Sequence, residues 1–94
     1  MAFHAFAKPF TFEGQEYTGL DLDLDRLTGK DLVNIEAEMA ARGIQAVMPE
    51  ISKSYQMLVA ARAAKVPVDL IEALPIKEAS TITMKVVNFL FASA

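Results

Sequence analysis

Along the chain the apolar residues change period twice, and each change predicts an element. Phe6, Phe10 and Phe12 fall on even positions, and Leu20, Leu22 and Leu24 then alternate with Asp21, Asp23 and Asp25. That period of two belongs to half-buried strands, with Glu13-Gly14 between them as a turn. A β-hairpin over residues 3 to 25 follows. A turn on Phe12-Glu13 with Gly14 as a left-handed bulge would pair Thr11 with Gln15 and Phe6 with Leu20. It collects Phe6, Phe10, Leu20 and Leu22 on one face, and is preferred to a plain two-residue loop for that reason. Pro9 has no N–H to give a ladder, so the first strand is expected to be an edge or to be interrupted there.

Beyond Arg26 the period becomes helical. Thr28 with Asp31 three residues later resembles a capping box, and Gly43 is a suitable stop, so a first helix is predicted from about Lys30 to Arg42. Leu32, Ile35 and Met39 form its main buried stripe, with Val33, Ala37 and Ala40 as a flatter second one. Glu38 and Arg42 form an i, i+4 pair on its solvent side. Ile44 to Met48 reads as a connector. Pro49 suits the first turn of a second helix that ends near Lys65, with Ile51, Tyr55, Leu58 and Val59 as its apolar stripe and Ala60, Ala63 and Ala64 as a small-residue side. Arg62 falls within that apolar stripe and is expected to lay its stem on the core and its head in water or against a carboxylate. Val68 to Ala73 can form a helical turn or two before Leu74-Pro75 opens the last helix.

That last segment, LPIKEASTITMKVVNFLF, carries apolar side chains over roughly 220° of its circumference at about 100° per residue. Ile76, Ala79, Ile82, Val86, Phe89 and Leu90 make one core stripe, and Met84, Val87 and Phe91 extend it round the side. Two readings stay open. In one the helix lies centrally, covered by its own chain on two sides. In the other Met84, Val87 and Phe91 bind a partner, and Val87→Asp with Phe91→Asp abolishes assembly while leaving the protomer folded. The pattern as a whole predicts an α+β chain, an N-terminal β-hairpin (residues 1–26) followed by a bundle of three main helices (27–94), in one domain.

Composition narrows the function. A hydrophobic fraction of 53% in 94 residues is high for a chain this small and points to self-association or a protein partner. No apolar run reaches the roughly 18 residues of a membrane span, and the opening MAFHAFAKPF has no signal-peptide pattern, so a cytosolic location is expected. The absence of Cys excludes thiolate metal sites, disulfides and Cys nucleophiles. Residues 1–38 sum to −5 and residues 39–94 to +2, which argues against nucleic-acid binding and allows the two parts to complement each other.

Candidate chemistry is sparse. Asp21, Asp23 and Asp25 begin like a calcium loop, but Arg26 and Leu32 stand where that loop needs Gly and Glu. A solvated strand face is the plainer reading. His4, the only His, is expected on the surface or the hairpin face, without a carboxylate partner. No serine sits in a nucleophile elbow and no glycines form a phosphate cradle. No cofactor, metal or catalytic activity is expected.

The stretches KPFTFEGQEYTGLDLDLDRLTGKDLVNIE and PEISKSYQMLVAARAAKVPVDLIEALPIKEASTITMKVVNFL, with Gly29-Lys30-Asp31-Leu32 at a helix start and Leu74-Pro75 before the last helix, resemble small tail assembly chaperones of long-tailed bacteriophages, especially Mu-like and P2-like ones. The resemblance runs from about Lys8 to Leu90. It implies a non-enzymatic chaperone in the host cytoplasm that binds the tape-measure protein, recruits tail-tube subunits and is absent from the mature virion. In many such relatives a programmed frameshift adds a C-terminal domain to part of the product. A structural subunit of a virion or another oligomeric assembly is the alternative.

Overall fold

A computed structural model describes residues 3–45 and 48–92 and shows an α+β fold, an antiparallel hairpin followed by four helices, three of them long. Strands β1 (Phe3–Phe12) and β2 (Gln15–Asp21) form a two-stranded sheet. Glu13 (φ 50°) and Gly14 (φ 81°) are both left-handed, as a two-residue turn requires if its twist is to match that of the strands.

The register differs from the one expected. Phe12 pairs with Gln15 and Phe10 with Tyr17, whereas at the far end His4 pairs with Leu20 and Phe3 with Asp21. The offset arises in β1 between Ala5 and Phe10, where Phe6 to Pro9 bulge opposite Thr18. Proline cannot donate to the ladder, so the extra residues collect where a ladder bond is already missing. Gly14 therefore serves the turn itself and not a bulge. Gly19 is obligatory for another reason: a Cβ there would collide with the His4 carbonyl oxygen and the Phe3 ring.

β2 stops at Asp21, and Leu24–Arg26 form a 3-10 turn instead of further strand. Leu20, Leu22 and Leu24 are nevertheless all buried. The Leu-Asp alternation thus reports which side chains face inward, while the backbone turns beneath them. Asp21 and Asp25 are exposed and Asp23 is half-buried.

Helix α1 (Gly29–Ala41) opens with the capping box: Thr28 Oγ1 accepts the Asp31 N–H and the Asp31 carboxylate accepts the Thr28 N–H at 2.8 Å. It ends before Gly43, which takes φ 75°. Ile35 and Met39 are buried and Leu32 half-buried, but Val33, Ala37 and Ala40 face solvent, so the second stripe covers nothing within the chain. The connector expected at Ile44–Met48 is described except at residues 46 and 47.

Pro49–Ile51 form a separate 3-10 turn, and α2 (Lys53–Ala64) begins only after Ser52. Ile51 is consequently exposed instead of lying in the helical stripe. Helix α2 is the central element, touching β2, both 3-10 turns, α1, α3 (Val68–Ala73) and α4 (Ile76–Phe91). Its buried Ala60, Ala61 and Ala63 permit close approach from several directions, and Tyr55, Leu58 and Val59 fill the spaces between. The last helix is therefore one wall of the core and not its centre. Arg62 behaves as expected: its guanidinium lies 3.8 Å from Asp31 and 3.6 Å from Glu38, linking α2 to α1 across the charge boundary seen in the sequence. Arg26 donates to the carbonyls of Arg62 and Ala63 at 2.7 and 3.0 Å, adding a cation to the acceptor end of α2.

Candidate protein-binding surface

Helix α4 presents three sides, each set by a different group of residues. Ala79, Ile82, Thr83 and Val86 are buried and pack into the core that α2 organises. The buried hydroxyl is fully used: Thr83 Oγ1 donates to the Ser80 carbonyl at 3.0 Å and accepts from Lys53 Nζ at 3.1 Å. Neither local pattern nor apolar spacing marks Thr83 as core, and its position between Ala79 and Val86 is the only sequence signal for it.

The second side meets the hairpin. His4 lies on the hairpin but is buried, and contrary to expectation it has a carboxylate partner: its Nε2 lies 2.9 Å from Glu78 Oε1. Lys85 Nζ donates to His4 Nδ1 at 2.8 Å, so the ring accepts at Nδ1 and donates from Nε2. The other Glu78 oxygen accepts the Ala7 N–H at 2.7 Å, a group the β1 bulge leaves outside the ladder. Glu78 is held below the usual carboxylate value, chiefly by the Ala7 N–H and next by the His4 bond. His4 also sets its ring edge-on to Phe6, centroids 5.7 Å apart. The partners are far apart in sequence and come together only because the hairpin folds over α4, so no local spacing could show them.

The third side is open. Ile76 (84% exposed), Met84 (53%) and Phe91 (53%) project from it, with Val87 half-buried along its edge. At about 100° per residue these four positions fall within roughly 80° of arc, one continuous stripe. The three residues singled out from the sequence, Met84, Val87 and Phe91, are thus on one face, and Ile76 joins them. Ile76 and Phe89 (42% exposed) leave the core stripe assigned to them, and Leu90 is half-buried in it. Ile76 is the first residue of α4, directly after the Pro75 N-cap. The 3-10 turn that carries exposed Ile51 also packs beside α4.

Among the described residues no three His, Asp or Glu side chains lie close enough together to share a metal ion. What the open side of α4 offers is a set of exposed apolar side chains. A model of the family described as phage tail assembly chaperone proteins, E, or 41 or 14, matches residues 4–90. The chain belongs to this family. No curated protein and no solved structure matches it. Membership of a chaperone family implies a non-enzymatic role. The matched stretch begins at His4, whose ring closes the hairpin onto α4, and ends one residue before Phe91, so it takes in all but the first residue of the hairpin and the last residue of α4.

Proposed function

We propose that this tail assembly chaperone binds the tape-measure protein in the host cytoplasm, shields its apolar helical surfaces, helps bring tail-tube subunits to it, and leaves before the virion is complete. The observation that carries this reading is the open stripe of Ile76, Met84, Val87 and Phe91 on α4 in a member of this family. A long helical partner offers stripes of its own, and helix-in-groove recognition needs large accessible anchors at i, i+3, i+4, i+7 spacings. Met84 adds adaptability, since an unbranched thioether fits varied surfaces. The same stripe also gives copies of the chain a surface for self-association.

Co-expression with the tape-measure protein of the same phage tests this. The wild-type chain is expected to co-purify with its partner and keep it soluble. Because Val87 is half-buried, Met84→Asp with Phe91→Asp is a cleaner disruption than a pair that includes Val87: both residues are 53% exposed, and their replacement leaves the core intact. The double variant is expected to keep the helical circular dichroism of the wild type and lose the partner. Failure of the wild type to co-purify, or its retention in finished virions, would favour a structural subunit instead.

A further inference from the structure

A groove of about 700 Å³ runs between the β1 bulge and the start of α4, floored by Phe6, Phe10, Leu74 and Pro75. It lies round the side of α4 from Met84 and Phe91, and only Ile76 borders both surfaces. Its size is that of a site for a few side chains and not for a protein face.

The charge around the groove is opposite to that of the chain. Lys8 stands on the strand wall and Lys77 on the helix wall, both exposed and neither making an ion pair among the described residues. Glu78 is the acid that lines it, and both its oxygens are already taken by His4 and Ala7. The groove also receives the positive end of α4, where Pro75 as N-cap offers no side chain to the first-turn N–H groups. A chain of net charge −3 therefore has an apolar channel with two unspent cations and a helix N-terminus at its rim. From this juxtaposition we propose that the groove docks a short extended segment of a partner protein in which apolar side chains alternate with aspartate or glutamate. The apolar side chains fill the floor between Phe6, Phe10, Leu74 and Pro75, and the carboxylates reach Lys8 and Lys77. Replacing the glutamates of such a segment by lysine would set like charges against Lys8 and Lys77.

The test uses the full ¹⁵N-labelled chain and two end-capped hexapeptides, one alternating glutamate with leucine or phenylalanine and the other with lysine in place of each glutamate. The acidic peptide is expected to shift amides of residues 6–8, 10, 74 and 76–78, to bind at least about tenfold more tightly than the basic one, and to weaken as salt rises from about 50 to 500 mM. Lys8→Glu with Lys77→Glu is expected to reverse that preference; both side chains are exposed and unpaired, so the spectrum elsewhere stays that of the folded protein. Equal binding of the two peptides, or no shifts at millimolar peptide, overturns the proposal. So do shifts centred on residues 84–91, which would assign the peptide to the open stripe. Concentration-dependent shifts of the groove amides without any peptide would identify the occupant as a second copy, and they too overturn it.

Discussion

Glu78 accepts the amide hydrogen of Ala7 at 2.7 Å, so the last helix supplies the hydrogen bond that the first strand lacks at its bulge. The same carboxylate holds His4, and one acidic side chain thereby closes the hairpin over α4. Its pKa in the folded chain lies below the ordinary value of 4.5, with the Ala7 N–H as the main cause. A depressed carboxylate stabilises the fold above its unfolded pKa, and that contribution is lost as pH falls through the folded value. Urea unfolding of the wild type is therefore expected to show stability falling as pH drops below about 4.5. Glu78→Gln should be less stable at neutral pH and have a shallower acid limb. An acid limb unchanged by the substitution would show that this carboxylate does not couple hairpin closure to pH.

Gly19 is expected to tolerate no side chain. Its neighbours are the His4 carbonyl and the Phe3 ring, one of them backbone of the paired strand, so Gly19→Ala must part β1 from β2 or displace the ring. A loss of about 1–3 kcal/mol in denaturant unfolding is expected, the usual range for overpacking a close contact. Gly29→Ala is the control, because a Cβ there meets open space.

Thr28→Ala removes the hydroxyl that caps the Asp31 N–H while the Asp31 carboxylate still accepts from the Thr28 backbone. Half the capping box survives. The expected loss is about 1 kcal/mol, and Thr28→Ser should restore most of it. Equilibrium unfolding of the two variants beside the wild type checks both statements.

Elements fixed by near neighbours were legible in the sequence. The Thr28–Asp31 box, the Gly43 stop, the inward leucines at 20, 22 and 24, the short helix at Val68–Ala73 and the start of the last helix after Pro75 all rest on residues a few positions apart. The Arg62 head found carboxylates as expected because its stem had no other way out of an apolar stripe. What was illegible depends on distant partners. The interruption at Pro9 was expected, but the number of residues it takes up, which sets His4 and not Phe6 opposite Leu20, was not, and His4 acquired partners from the far end of the chain. The central role fell to α2 because its alanines admit close neighbours, whereas the wide apolar arc of α4 had pointed to the last helix.

Ile76 and Ile82 make that last distinction measurable. Both belong to the apolar stripe that periodicity assigns to α4, and a helical wheel alone gives no reason to treat them differently. In the fold Ile82 is 0% exposed and Ile76 84%. Truncating Ile82 to Ala opens a void among residues that cannot fully close on it, and a loss of about 2–5 kcal/mol is expected. Ile76→Ala removes side-chain atoms that already face water, and its effect on unfolding should stay within about 0.5 kcal/mol. If the open side of α4 is a binding surface, the order reverses in a partner-binding assay. Ile76→Ala then weakens capture although it leaves the fold alone, and any loss caused by Ile82→Ala follows its unfolded fraction. Comparable destabilisation by the two truncations would place Ile76 inside the core and remove it from the stripe.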